Sequence, residues 1–172
     1  ENKDIRSAAM NSLGQIGSEA SEALPILATR LGDPEVLIRM KVKSIIKKID
    51  ADIDYEKLIK KALQSNDEGI RKAALSALEN IDWETDELFS VLKELWLNEE
   101  NQIKSLVSSV FIEKGKTIYE KLADNFKKKQ STLYTALNND NAETQELAVL
   151  ILGEMGEDVK SEGLRELKNL LS

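Results

Sequence analysis

The chain has 172 residues, of which 41% are hydrophobic, and this is enough to bury a core. It contains no cysteine and no histidine, which excludes disulfides and thiolate chemistry and removes the commonest general base and metal ligand. The net charge of −7 disfavours non-specific binding to nucleic acid, and no segment approaches the roughly 20 apolar residues of a membrane span.

These absences set the expectations for chemistry and location. We expect no catalytic residue, no metal site, no cofactor and no enzymatic activity, because the side chains that most often perform such chemistry are missing. The N-terminal sequence ENKDIRSAAM lacks the basic and then apolar pattern of a signal peptide, which favours a cytoplasmic location.

Five amphipathic segments recur along the chain at nearly constant spacing. They are DIRSAAMNSLGQIG, LIRMKVKSIIKKID, GIRKAALSALENID, QIKSLVSSVFIEKG and TQELAVLILGEMG. The apolar stripe of the first segment, at helical period, consists of Ile5, Ala8, Ala9, Leu13 and Ile16. The segments align on a polar position held by Arg6, Arg39, Arg71, Lys104 and Gln145. The steps between these residues are 33, 32, 33 and 41 residues, which predicts a repeat protein.

A shorter apolar segment follows each of the five, so every repeat reads as helix A, a turn and helix B. The shorter segments contain EALPILATRL, YEKLIKKAL, ELFSVLKELWL, LYTAL and GLRELKNLL. Asp33 followed by Pro34 is typical of a helix start, which places the second helix A from Pro34 onwards. The aspartates of DADIDYE lack the glycine and glutamate that a calcium loop needs at its sixth and twelfth positions. We therefore expect these aspartates to cap the second helix B.

This pattern resembles HEAT repeats, particularly the short prokaryotic kind also found in phycobilisome lyases. The segments DIRSAAMNSLGQIG, EALPILATRLGDPEVLIR and GIRKAALSALENID carry the resemblance best, and it extends over nearly the whole chain. It implies an all-α, right-handed α-solenoid of about five two-helix repeats in one domain, residues 1–172. The approximate repeats are 1–32, 33–63, 64–97, 98–137 and 138–172.

The resemblance also implies a structural role for five charged residues. In the family, an aspartate in the loop and an arginine in helix A form a hydrogen-bonded ladder along the stack. Asp33 and Arg39 match these positions in the second repeat, and Asp67 and Arg71 match them in the third. Arg6 is the corresponding arginine of the first repeat. Repeats four and five have no arginine at this position, so the ladder is expected to fade there.

The first helix A has a face that a preceding helix B would occupy, and nothing before Asp4 can cover it. Terminal repeats need a cap for such a face. We therefore expect either a piece of a longer repeat array, or end-to-end stacking in which another chain covers the face.

The fourth repeat is eight residues longer than the others. Its extra length falls in GKTIYEKLADNFKKKQSTLYTALNND, where apolar residues keep a helical period. The simplest interpretation is one long helix B from about Thr117 to Leu137. The alternative is a break near Gln130–Ser131 that divides the segment into two helices.

The resemblance implies a binding surface, because the B helices of HEAT proteins usually line the concave, partner-binding face. We therefore expect a non-catalytic scaffold for a protein or peptide partner. Residues 33–63 carry 8 basic and 6 acidic side chains, and residues 98–137 carry 7 and 5, so these two repeats are basic. The candidate partner-binding residues are Lys60, Lys61, Trp96, Lys127 and Lys128. The alternatives are that these lysines are only solvated and that Trp96, like Trp83, packs between hairpins.

Two other classes of function compete with the scaffold. A chaperone or enzyme subunit for a small cofactor, similar to the bilin lyases, follows from the style of repeat, although no reactive group supports it. A nucleic-acid binder similar to HEAT-like DNA glycosylases would need a continuous basic groove. Here an acidic repeat separates the two basic ones, so this class is disfavoured.

Overall fold

The computed structural model describes residues 2–81, 83, 85–99 and 101–171. Its α-helices are α1 (Lys3–Ile16), α2 (Leu24–Thr29), α3 (Val36–Ile49), α4 (Tyr55–Leu63), α5 (Glu68–Ala77), α6 (Asp86–Asn98), α7 (Asn101–Lys114), α8 (Lys116–Phe126), α9 (Gln130–Leu137), α10 (Ala142–Met155) and α11 (Ser161–Asn169). Short 3₁₀ segments extend some of them, at Gly17–Ala23, Arg30–Gly32, Leu78–Asn80 and Gly156–Asp158. No strand occurs among the described residues, so the predicted all-α class is confirmed.

The chain forms two compact units, Glu1–Glu94 and Leu95–Ser172, and the boundary between them falls within α6. In the first unit α1 packs on α3, and α2 packs on α4. Helix A therefore lies on helix A and helix B on helix B, as expected for stacked hairpins. Helix α5 packs on α4, on α2 and on the segment Arg30–Gly32.

A glycine permits the close approach of α5 to the end of the first hairpin. A Cβ atom built on Gly32 would lie 2.7 Å from the backbone nitrogen of Ala77 and 2.8 Å from the carbonyl carbon of Ser76. Real Cβ atoms do not approach backbone so closely, so any side chain at residue 32 would push α5 away.

Aspartates begin two helices of the first unit in different ways. The Asp54 carboxylate accepts a hydrogen bond of 3.1 Å from the Lys57 amide, which confirms that the DADIDYE segment caps the second helix B. The prediction for Asp33 and Pro34 is wrong, because α3 begins at Val36. Asp33 instead accepts from the Glu35 amide at 3.0 Å and turns the chain ahead of the helix.

In the second unit α10 packs on α7, α8 and α9, and α11 packs on α9. Since α11 is the fifth helix B, its contact with α9 identifies α9 as the fourth helix B. Helix α8 is thus an additional helix between the A and B helices of the fourth repeat.

The prediction of one long helix from Thr117 to Leu137 is therefore wrong, and the alternative of two helices is confirmed. The chain breaks at Lys127–Lys129, just ahead of the expected break near Gln130–Ser131. The break places Gln130 at the start of α9, where its side chain is buried. Its Nε2 donates to the Asp158 carbonyl at 2.8 Å, and its Oε1 accepts from the Lys160 amide at 3.1 Å. Gln130 thereby satisfies two backbone groups of the loop before α11.

Candidate functional site

Helix α3 exposes three large apolar side chains. Leu37 and Met40 are 69% and 65% exposed, and Val36 is also exposed. The buried face of the helix is complete without them and consists of Ile38, Val42, Ile45, Ile46 and Ile49. These three side chains are therefore surplus to the core. Sequence reasoning missed them, although a helix with apolar residues outside its buried stripe was the available signal.

The exposed apolar side chains of α3 continue into a cleft of about 390 Å³. The cleft is lined by Lys43, Ser44, Lys47, Tyr55, Asn80 and Ile81. Val36, Met40, Lys43 and Lys47 follow one another at helical spacing, so they share one face of α3. We call Val36, Leu37, Met40, Lys43 and Lys47 the α3 strip. It is apolar at its N-terminal half and cationic at its C-terminal half.

The charge of α3 is one-sided. Its basic residues are Arg39, Lys41, Lys43, Lys47 and Lys48, and it has no acidic residue, although the whole chain carries a net charge of −7. Lys47 and Lys48 lie in the last turn, where the helix dipole favours cations. In the part of the chain that the structure describes, Lys43, Lys47 and Lys48 form no ion pair, so their charge is available to a ligand.

The Tyr55 side chain fixes one wall of this cleft. Its hydroxyl donates to the Lys43 carbonyl at 3.3 Å, which links the start of α4 to α3. Burial raises the pKa of Tyr55, so the phenol stays protonated and keeps its role as a donor at neutral pH.

The lysines predicted on helix B of the second repeat lie in α4 and reach solvent. Lys61 is exposed, and Lys60 borders a second cleft of about 250 Å³. The cleft is lined by Asp54, Glu56, Lys57, Lys60, Thr85, Glu87 and Leu88. Because it mixes acidic and basic groups, it is less one-sided in charge than the α3 strip.

The other predicted lysines lie in the second unit, and the structure treats the two neighbours differently. Lys127 forms ion pairs of 3.2 Å with both Asp124 and Asp158. The hydrogen bonds to Asp158 and Asp124 raise the pKa of Lys127 above its ordinary value. Lys128 is exposed, and no such pair is described for it. Lys127 is thus already neutralised within its own chain, whereas Lys128 is open to solvent.

Trp96 is only 2% exposed, which corrects its assignment as an exposed anchor for a partner. Its indole Nε1 donates to the Ser108 hydroxyl at 2.9 Å, and its ring meets Phe126 edge-on with centroids 5.6 Å apart. A cleft of about 280 Å³ borders it, but the buried ring offers almost no surface there. Trp83 is buried as well, so both tryptophans pack inside the protein, as the alternative interpretation expected.

The charged residues predicted as a ladder connect the first two hairpins. Arg6 Nε lies 3.2 Å from Asp33 Oδ2, and the Asp33 side chain is 1% exposed. Arg39 Nη1 donates to the backbone carbonyls of Asp33 at 2.6 Å and Pro34 at 3.2 Å. The loop that contains Asp33 is therefore bound by Arg6 from the preceding helix A and by Arg39 from the following helix A.

The third repeat continues this arrangement in part. Arg71 Nη1 donates to the Ser65 carbonyl at 2.8 Å in the loop ahead of its own helix, as Arg39 does. The Asp67 carboxylate accepts from the Ile70 amide at 3.1 Å and so caps α5. These contacts are structural, and they run from the loop to the helix that follows it.

Residues 5–37 match the family model described as PBS lyase HEAT-like repeat. The matched segment contains most of α1, all of α2 and the loop that holds Asp33. It confirms the resemblance to HEAT-like repeats over these residues. No curated protein matches the chain significantly. Within the described ranges, none of the helices has the length and apolar character that crossing a membrane requires.

The buried pair in this HEAT-like repeat gives a direct stability test. Changing Asp33 to alanine is expected to lower the free energy of unfolding by about 3–5 kcal/mol, because the mostly buried Arg6 then loses this carboxylate. In a double-mutant cycle with Arg6→Ala, measured by urea denaturation, the two losses are expected to be clearly non-additive. Additive losses would mean that the two side chains act independently.

Proposed function

We propose that this chain is a non-catalytic repeat protein that binds an acidic, partly apolar segment of a protein partner on the α3 strip. The single observation that carries the proposal is the continuity of exposed apolar side chains with a lysine-lined cleft on one helix face. Exposed apolar patches on a folded chain are typical of interaction sites.

The chemistry of the strip determines the kind of partner. Lys43 and Lys47 favour carboxylates, while Met40 and its apolar neighbours favour aliphatic or aromatic side chains. Methionine suits such a surface because its flexible thioether adapts to different ligands. A segment that alternates acidic and apolar residues at helical spacing satisfies both halves.

The proposal of a non-catalytic role rests on the available side chains. The chain has no histidine and no cysteine, the two side chains that most readily serve near neutral pH. Among the described residues, each resolved pKa shift also moves away from neutrality. Lys72 lowers the pKa of Glu68, Arg165 lowers that of Glu166, and burial raises those of the tyrosines. General acid–base catalysis needs the opposite direction.

A second candidate surface for the same function is the exposed part of α4, the B helix on which the sequence predicted binding residues. Lys60 and Lys61 support it, together with the cleft that Lys60 lines. For this second surface we also propose the cytoplasmic location and the concave arrangement of B helices that the sequence led us to expect. The cofactor-chaperone alternative follows from the family description alone, and an absorbance shift on adding bilin would reveal it.

Selection from a phage-displayed random peptide library tests the proposal and separates the two surfaces. We expect enrichment of peptides that combine Asp or Glu with Leu, Ile or Phe. The double variant Lys43→Glu/Lys47→Glu is expected to weaken the binding of an enriched peptide at least about tenfold, or about 1.4 kcal/mol. The binding should also weaken with salt, because the lysines are exposed.

The matched control is Lys60→Glu/Lys61→Glu, which makes the same charge change on α4. Loss of peptide binding in this control alone would move the site to the B-helix face. Enrichment of basic peptides, or unchanged affinity in both double variants, would contradict the proposed ligand chemistry. Circular dichroism of each variant confirms that the helices are intact.

A further inference from the structure

The apolar stripe of α1 is largely exposed, although the position of Ala9 within this stripe is buried in every later helix A. The equivalents of Ala9 are Val42, Ala74, Val107 and Ala148, and each is 0% exposed. In α1, by contrast, Ile5 and Ile16 are 67% and 56% exposed, and Ala8 and Ala9 are exposed as well. The repeat pattern therefore places core-type residues on an open face.

In the second and fifth repeats, the preceding hairpin packs against helix A. Helix α3 is covered by α1, α2 and the adjoining 3₁₀ segments, and α10 is covered by α7, α8 and α9. The open face of α1 thus has the form of a site for a helical hairpin of the same kind.

On α10, the residues that correspond to those with which α1 packs on α3 are exposed. In α1 these residues include Met10, which is buried, and Gly14, whose Cβ position lies 3.2 Å from Ile45 of α3. The equivalent residues of α10 are Val149 and Gly153, and both are exposed. Apart from its own helix backbone and its two chain neighbours, no described residue lies within 4 Å of a Cβ atom built on Gly153. A small residue in this position lets a neighbouring helix approach closely, as Gly14 does.

We propose that the α10 face of one molecule docks on the α1 face of a second copy, head to tail. We call Ile5, Ala9 and Ile16 the α1 face, and Val149 and Gly153 the α10 face. The α10 face supplies the helix A that would precede α1, and the α1 face supplies the helix A that would follow α10. Because the two faces differ, the contact is heterologous, and each added copy leaves one face of each kind open.

The charges around these faces do not oppose the contact. Helix α10 has Glu143, Glu146 and Glu154 and no basic residue, whereas α1 has Lys3 and Arg6 as well as Asp4. The contact itself depends on the apolar side chains of the two faces. It can be tested apart from peptide binding, because substitutions in the α1 and α10 faces leave Lys43 and Lys47 of the α3 strip unchanged.

Sedimentation velocity of the 172-residue chain, from about 1 μM to about 1 mM, tests the contact over the usual range of weak association. The wild type is expected to grow beyond a dimer with concentration. The α1-face variant Ile5→Glu/Ile16→Glu and the α10-face variant Val149→Glu/Gly153→Glu are each expected to stay monomeric. An equimolar mixture of the two retains one intact face of each kind, so it is expected to form a 1:1 dimer and nothing larger.

Leu37→Glu/Met40→Glu is the matched control, since it places the same two charges on exposed apolar residues of the α3 strip and should leave the association unchanged. A wild type that remains monomeric at about 1 mM would overturn the proposal. A closed dimer that only one of the two double variants abolishes would also overturn it, because such a dimer uses the same face twice.

Discussion

Replacing Trp96 with alanine is expected to lower the free energy of unfolding by about 3–5 kcal/mol, as measured by urea denaturation followed by circular dichroism. The indole fills the core of the second unit against Phe126 and donates a buried hydrogen bond to Ser108. Ser108 also lies 3.4 Å from the Thr144 hydroxyl, so the substitution disturbs a contact between α7 and α10. The loss therefore combines a cavity with a broken polar network.

Two variants separate these causes. Trp96→Phe keeps an aromatic ring but removes the indole donor, so it is expected to cost about 1–3 kcal/mol. Leu97→Ala changes the neighbouring residue, which is partly exposed, and is expected to cost less than about 1 kcal/mol. If Trp96→Ala were as mild as Leu97→Ala, the indole could not be a core residue.

Replacing Gly32 with alanine is expected to destabilise the first unit by about 1–3 kcal/mol. The new Cβ atom would lie under 3.0 Å from backbone atoms of Ser76 and Ala77, and backbone cannot rotate aside as a side chain can. Helix α5 must therefore shift, and this loosens its packing on α2 and α4. Thermal denaturation monitored by Trp83 fluorescence in the Trp96→Phe background reports this unit directly.

Gly153→Ala is the matched control for Gly32. The residue lies inside α10, and among the described residues its Cβ atom would meet only its own helix backbone and its chain neighbours within 4 Å. Alanine is a better helix former than glycine, so this variant is expected to gain about 0.5–1 kcal/mol. Opposite signs for the two substitutions would show that close approach, rather than glycine content, determines the cost at residue 32.

The repeating helices could be predicted from the sequence because their cause is local. The apolar period and the 33-residue step specify each helix A without reference to any distant residue. The break between α8 and α9 has a different origin. It accommodates Gln130, whose partners Asp158 and Lys160 lie 28 and 30 residues further along the chain. The local sequence alone therefore does not decide between a continuous helix and two helices.

The candidate site shows the same division. Composition identifies the lysine-rich repeats, but Lys127 and Lys128 are adjacent and chemically identical in the sequence. They differ because Lys127 pairs with Asp124 in its own helical turn and with Asp158, which folding brings to it from 31 residues further along the chain. Trp96 was similarly ambiguous, since an aromatic residue on an amphipathic helix suits a core and an interface equally well. The α3 strip required knowing which of the apolar residues of α3 the neighbouring hairpins cover.

Helix α8 shows where this architecture tolerates a change of length. The fourth repeat, which contains it, is eight residues longer than the 33-residue step, yet α10 still packs on α7 as α3 packs on α1. The insertion is absorbed between helix A and helix B, so the stacking of successive A helices is preserved. Lengthening a connection costs little chain entropy, since each doubling of its length adds only about 0.6 kcal/mol. The turn between the two helices of a hairpin is therefore the position at which such proteins can acquire new segments during evolution without losing their fold.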